Sequence, residues 1–446
     1  MRPRLHSLCL ALTAVGACAG AARVEPGGTA TAAAVRPPCL ADNGGITLPR
    51  GFCALIVADS LPRPRHLVVA ANGDVFVSLL GTGQGGAGGG FVGLRDTNGD
   101  GRADVQERFG NAPSSEVALH GGYLYAGAPT SVIRFPLRRG ELRPSGSPDT
   151  IVVDLPTGGH GLRTFAIDSS GALMLNVGSR TNACQERDRQ AQSRGIDPCT
   201  ELETRAGIWR FATNRRQTQR DGEHFATGIR NAVAIAVNPF DRALYVVQHG
   251  RDQLYGNWPA LFDSVRSAEV PAEELFRVER GDDFGWPYCY YDPQLRRKVL
   301  APEYGGDGRT EGRCTSRKGN VAAHPAHWAP NALLFYSGRM FPERYRGGAF
   351  IAYHGSWNRQ PALPQSGFNV VFQPLSGGRA AGDYEVFADN FFGEEARLAA
   401  RPNQAPPGPK RHRPTGLALG PDGSLYISDD GMGRIWRVFY VGERSN

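Results

Sequence analysis

The sequence predicts an all-β fold, a six-bladed β-propeller with disulfide-stapled insertion loops. Three observations carry this expectation. A unit of apolar alternation, glycine turn and further alternation recurs along the chain; its first three turn glycines, Gly73, Gly122 and Gly171, stand 49 residues apart. The 446 residues include 58 Gly and 32 Pro, with many β-branched and aromatic runs and few helical periods. Paired cysteines occupy the stretches where the recurrence lengthens. Alternation of period two around a tight turn is a hairpin with one buried face. Hairpins repeating every ~40–50 residues mark propeller blades. A β-sandwich is the competing fold, and it gives no reason for a regular interval.

The six copies follow in order. They are His66 to Leu80, Glu116 to Gly127, Arg163 to Gly178, Ala232 to Gly250, a looser Ala332 to Gly355, and Pro414 to Gly431. The interval stretches after Gly171. Long insertions on one face, closed by disulfides, explain both the stretching and the cysteines.

Ahead of the repeats, Arg2 and Arg4 precede an apolar run from Leu8 to Ala17, too short to span a bilayer. Residues 1–18 are therefore read as an export signal. Val15-Gly16-Ala17-Cys18 resembles a bacterial lipobox in which Cys18 takes the lipid; an ordinary signal peptide with an incidental cysteine is the alternative. Residues 19–38, rich in Ala, Gly and Pro, read as a flexible linker, and residues 39–446 as the propeller domain. The expected location is periplasmic or on the outer membrane, with the lipid as the only membrane contact. Ala19 carries no aspartate-type retention signal for the inner membrane.

Six further cysteines form three near pairs, Cys39/Cys53, Cys184/Cys199 and Cys289/Cys314. Loop-closing disulfides are the simplest reading in an oxidising compartment. Zinc is the competing one, and no CxxC is present. The formal charge of +7 is spread without a Lys/Arg block, which argues against nucleic acid and weakly for an anionic ligand.

A calcium loop is expected at Asp96-Thr97-Asn98-Gly99-Asp100-Gly101, followed by Arg102, Asp104 and Glu107. Oxygen donors fall at positions 1, 3, 5, 9 and 12, with glycine at 6 and only the backbone carbonyl of Arg102 needed at 7. A strand-like FVGL precedes it, so it reads as a structural clip between strands; a solvated acidic turn is the plain alternative.

Functional groups of a propeller gather in loops at the mouth of its axial channel. Five such loops carry basic groups: HGLR (His160 to Arg163), ATGIRN (Ala226 to Asn231), QHGRDQ (Gln248 to Gln253), HGSWNR (His354 to Arg359) and RHRPTG (Arg411 to Gly416). Singly, each is an ordinary solvated side chain beside a strand. At equivalent blade positions they are expected to converge on one strongly positive pocket.

From about residue 50 to the C-terminus the sequence resembles the glucose/sorbosone dehydrogenase family, nearest its L-sorbosone dehydrogenase-like branch. The resemblance lies in GHGLRTFAIDSSGALMLNVGS, ATGIRNAVAIAVNP, ERGDDFGWPYCYY, HGSWNR and RHRPTGLALGPDGSLYISDD. It implies a six-bladed propeller that holds pyrroloquinoline quinone (PQQ) across the top of the channel. His160 matches the general base, and Arg230 and Asn231 match the pair beside the quinone carbonyls. Arg411 and Arg413 match two arginines that meet the cofactor's carboxylates, and Arg359 lies where a carboxylate-binding lysine stands. The carbonyls of Gly250 and Arg251, the latter in place of a proline, match positions that hold the cofactor's calcium. In the loop after the third copy, Ser179 stands where the glucose enzyme has an acidic residue.

The residue types suit that chemistry. Planar guanidinium groups pair bidentately with carboxylates and stack on a flat aromatic acid. Histidine titrates near neutrality and suits removal of a hydroxyl proton. The expected activity is oxidation of a sugar or sugar aldehyde. No CxxCH haem motif is present, so a separate cytochrome or quinone is the expected electron acceptor. A calcium-dependent lactonase-type propeller and a non-catalytic glycan- or protein-binding propeller are the rival readings.

Overall fold

The computed structural model describes residues 39–82, 87–359, 362–399 and 411–442. The export signal, Cys18 and the linker lie outside the described residues. Six antiparallel sheets follow one another along the chain, five of four strands and one, that of Glu116–His120, widened to five by the short parallel strand Gln217–Thr218; their innermost strands pack side by side around an axis. Those inner strands are Pro64–Val69, Glu116–His120, Phe165–Ile167, Ala234–Val237, Pro330–Phe335 and Pro414–Leu419, which define blades 1 to 6. Each begins one of the six recurring units, so the all-β propeller expectation holds.

The ring closes through hydrogen bonds between the two chain ends. Phe52–Ala58, the first long strand, pairs with Ile435–Tyr440 and becomes the outer strand of blade 6. Phe52 plugs that seam. Its ring meets Phe341, Tyr345 and Phe387 edge-on at 4.8, 5.5 and 5.0 Å. Edge-to-face contacts favour the ring quadrupoles beyond the area they bury. Cys39–Cys53 ties the preceding segment to the same strand.

In this topology the loops entering each inner strand and the loops joining second to third strands share one end of the axis. Two insertions enlarge that end. Residues 178–206 of blade 3 are closed by Cys184–Cys199. The connection after Glu273–Val278, the third strand of blade 4, climbs back along the outer strand of blade 3, with Thr227 bridging Asp283, and is closed by Cys289–Cys314. Both disulfides share one buried cluster with Trp286 and Tyr288. The Cys199 amide donates to the Tyr288 hydroxyl at 2.8 Å and Trp286 Nε1 donates to the Asn182 carbonyl at 3.0 Å. The two insertions thus form one platform beside the mouth.

Candidate active site

Blade 3 supplies His160. Its Nδ1 lies 2.9 Å from the Ser179 carbonyl oxygen and 3.0 Å from Ser179 Oγ, and that hydroxyl donates to the Thr181 carbonyl at 2.7 Å. With Nδ1–H donating to these oxygens, Nε2 keeps its lone pair and takes no partner among the described residues. Gly178 permits the placement: a Cβ there would lie 2.6 Å from His160 Cβ and 2.8 Å from Asn231 Oδ1. Burial, with Arg230 nearby, pushes the His160 imidazole down to about 3. It is a neutral base throughout the physiological range.

Blade 4 supplies Arg230 and Asn231, both buried. Arg230 Nε donates to the Asn182 carbonyl at 3.1 Å, Nη2 to Asn182 Oδ1 at 3.0 Å and Asp252 Oδ2 at 3.1 Å, and Nη1 to the Gly250 carbonyl at 2.9 Å. Asn231 accepts from Asn176 Nδ2 at 3.2 Å. His249 Nε2–H donates to the Pro330 carbonyl at 2.7 Å, and burial pushes the imidazole down to about 4. Across the axis, His354 Nε2 of blade 5 meets Asp430 at 2.6 Å, and Asp430 also accepts from Arg65 Nη1 at 2.8 Å. Arg413 of blade 6 donates through Nε and Nη2 to the carbonyls of His354 and Gly355, both at 2.9 Å, leaving Nη1 without a partner among the described residues. His160, Arg230 and His249 lie within electrostatic reach of one another. So do His249 with His354, and His354 with Arg413 and Arg65. These links run from blade 3 round to blade 1 and define one cationic mouth.

The charge in that mouth has a definite sign. Arg63, Arg65, Arg189, Arg230 and Arg413 face the carboxylates of Asp252, Asp429 and Asp430, so the arginines outnumber these aspartates. Asp252 and Asp430 are held well below the usual carboxylate range by these cations, against the opposing effect of burial. Glu273 is the exception; burial raises it to about 7 although the amides of Gly250 and Ala329 donate to it.

Other residues singled out in the sequence lie elsewhere. Arg359 spends its guanidinium on the carbonyls of Pro364, Ala268 and Ala326 at 3.2, 2.6 and 3.4 Å, stapling the blade 5 loop to the blade 4 loop that precedes Glu273–Val278. Its neighbour Asn358 reaches the mouth instead, donating to Asp252 at 2.8 Å. Arg163 is fully buried beneath the carbonyls of Pro129 and Pro156. Arg251 pairs with buried Glu303 at 2.5 Å, while its own carbonyl accepts no hydrogen bond among the described residues. Arg411 is exposed at the rim with no ion-pair partner. Of the arginines in the five loops, Arg230 and Arg413 reach the mouth; backbone carbonyls hold Arg163 and Arg359, the Glu303 carboxylate holds Arg251, and Arg411 is exposed.

The Asp96 loop joins Gly90–Arg95 to Val105–Phe109 at the other end of the axis, beside the Asn72–Asp74 turn. Asp96 accepts from the amides of Gly99 and Gly101 at 2.7 and 2.8 Å; Asp104 turns to Thr97. Glu107 sits in the outer strand opposite Gly93 and is exposed. Asn98 bonds Asp100, and Arg102 donates its amide to Asp100. Among the described residues no three His, Cys, Asp or Glu side chains are grouped so as to hold a metal ion.

Sequence reading passed over Asp252, Asn182, His354 and Asp430 as site residues. Asp252 and His354 lay inside quoted loops, masked by adjacent basic residues. Asn182 lies in an insertion without repeat pattern.

Fold and mouth together define a six-bladed propeller with a cationic axial site. The chain belongs to the TrAA12-like family, whose model matches residues 46–440. It is similar to the PQQ domain of pyranose dehydrogenase from Coprinopsis cinerea, at 19% identity and TM-score 0.70, covering 88% of this chain and 97% of that one. A similar match is the AA12 carbohydrate-active enzyme of Trichoderma reesei, at 18% identity and TM-score 0.70, covering 89% and 98%. The soluble aldose sugar dehydrogenase of Escherichia coli matches at 16% identity and TM-score 0.56, covering 87% and 99%. An uncharacterized protein of Borreliella burgdorferi is 27% identical over 283 residues, which are 63% of this chain and 61% of that protein's length.

Proposed function

We propose that this chain is a PQQ-dependent dehydrogenase that oxidises a sugar or sugar aldehyde of the aldose or sorbosone type. The observation that carries the reading is the Nε2 of His160, unpartnered among the described residues, beside a mouth in which arginines outnumber the aspartates they face. The PQQ domain of the Coprinopsis enzyme and the E. coli aldose sugar dehydrogenase support it by likeness of fold.

The residues present fit the cofactor. Arg413 offers Nη1, Asn231 offers Nδ2, and Arg230 offers its remaining Nη1 hydrogen; Arg411 stands at the rim. The free carbonyl of Arg251, with that of Gly250, is suited to a calcium ion. PQQ with its calcium, when bound, supplies an ortho-quinone that takes up two electrons as hydride. His160 Nε2 then receives the proton of the substrate hydroxyl, or of the hydrated aldehyde. Ser179 fixes the tautomer that leaves Nε2 basic. The buried arginines set the field without reorganising.

Export as a Cys18 lipoprotein, a separate cytochrome or quinone as acceptor, and a structural calcium at the Asp96 loop belong to the same proposal. The test is reconstitution of purified apoprotein with PQQ and Ca2+, followed by dye reduction with aldoses and osones. His160→Ala should lose turnover by orders of magnitude and keep PQQ uptake. Lactone hydrolysis without PQQ, or sugar binding without dye reduction, would overturn the proposal.

A further inference from the structure

We infer that Asp252, clasped by Asn182, is the positioning residue that aims Arg230 into the mouth; the inference rests on the cofactor reading above. The Asp252 carboxylate joins three blades. Its Oδ2 accepts from Arg230 Nη2 and from Arg189 Nη2, both at 3.1 Å. Its Oδ1 accepts from Asn358 Nδ2 at 2.8 Å and lies 3.6 Å from His327 Nδ1. Arg189 comes from the insertion closed by Cys184–Cys199, Arg230 from blade 4, and Asn358 from blade 5.

The main chain of Asp252 is fixed as firmly as its side chain. Its amide donates to Asn182 Oδ1 and its carbonyl accepts from Asn182 Nδ2, both at 2.9 Å. Asn182 in turn takes Arg230 Nε on its carbonyl and Nη2 on its Oδ1. A guanidinium has five N–H donors in one plane. Nε and Nη2 spend three of them on Asn182 and Asp252, and one Nη1 hydrogen goes to Gly250. The last has only the His249 carbonyl at 3.5 Å. The clasp therefore fixes the plane of the guanidinium and leaves one strong donor direction open. Opposing this arrangement is its electrostatic cost: Asp252 cancels one of the positive charges that would attract a tricarboxylate. A role in charge alone predicts tighter anion binding when Asp252 is neutralised; a role in aiming Arg230 predicts weaker binding.

A double-mutant cycle read by PQQ titration of the apoprotein separates the two. Asp252→Asn should raise the PQQ dissociation constant by about tenfold, in the range of buried pair couplings. Arg230→Met should raise it at least as much, and Asp252→Asn made in the Arg230→Met background should add little further. Should Asp252→Asn fail to fold, Asn182→Ser in the same cycle removes the Oδ1 that both partners use and is expected to behave alike. Unchanged or tightened binding in folded Asp252→Asn protein, or losses that simply add, would overturn the inference while leaving the cofactor reading intact. Failure of the wild-type apoprotein to take up PQQ would overturn both.

Discussion

Ser179 holds the His160 imidazole with two oxygens, its carbonyl at 2.9 Å and its hydroxyl at 3.0 Å from Nδ1. The base is therefore oriented by neutral acceptors, which leave its proton affinity low. Since burial and Arg230 push it to about 3, protonation of His160 should not reduce kcat/KM between pH 7 and pH 5. Ser179→Asp places a carboxylate against Nδ1, which favours the imidazolium, so the acid limb should move upward by about one pH unit or more. Ser179→Ala keeps the carbonyl acceptor and should change kcat/KM less than about threefold, the scale of one neutral hydrogen bond. A pH–rate profile of the three reconstituted proteins checks this. An unmoved limb in Ser179→Asp would remove His160 from the base role.

Arg413 and Arg359 make opposite predictions from similar sequence settings. Arg413 keeps an open Nη1 toward the mouth, whereas Arg359 has turned onto three backbone carbonyls. Arg413→Met should raise the PQQ dissociation constant by about tenfold or more, the worth of a charge-assisted bond. Arg359→Met should leave PQQ affinity near wild type and lower the thermal midpoint, because buried carbonyls lose their donor. Equal losses of affinity would mean that the Arg359 loop rearranges on binding.

At the other end of the axis the Asp96 carboxylate caps its own turn through the amides of Gly99 and Gly101. Asp96→Ala should cost about 1 kcal/mol of stability in calcium-free buffer, as loss of a side-chain cap does. Calcium should raise the thermal midpoint of the wild type and leave Asp96→Ala unmoved. A midpoint that responds equally in both proteins would locate the ion elsewhere.

What the sequence made legible followed from short-range pattern. Period-two alternation around Gly73, Gly122 and Gly171 gave the blades, and near spacing gave the three disulfides. The pair Arg230-Asn231 and His160 were legible because their loops enter inner strands, whose position the repeat fixes. Arg163, Arg251 and Arg359 were not, because which way a long side chain turns depends on acceptors from distant segments. Pro129, Glu303 and Ala268 capture them, and none is signalled locally. Asp252 was hidden for the converse reason: an acid surrounded by basic residues reads as surface charge until Arg189 and Asn358, from other blades, are brought to it.

His324, in the wedge between blades 4 and 5, tests how burial governs stability. Both ring nitrogens are buried without partners, the ring lies 5.7 Å from Tyr353 and 5.1 Å from Tyr384, and burial alone pushes it to about 3. The unfolded chain binds a proton at His324 near pH 6.5 and the folded protein does not. Stability is therefore retained above 6.5 and falls as the pH drops from 6.5 toward 3. His160, His249 and His354 share this sign, while Glu273, raised to about 7, favours the folded state at low pH and loses that contribution between 4.5 and 7. Comparing His324→Phe with wild type cancels those other groups. The substitution removes two unpaired polar atoms and should stabilise or be neutral at pH 8. Its advantage should then grow by about 2 kcal/mol between pH 6.5 and pH 5, at ~1.4 kcal/mol per unit. Urea unfolding at the three pH values measures it, and a difference that stays constant would mean that His324 gains a proton in the folded protein as readily as in the unfolded chain.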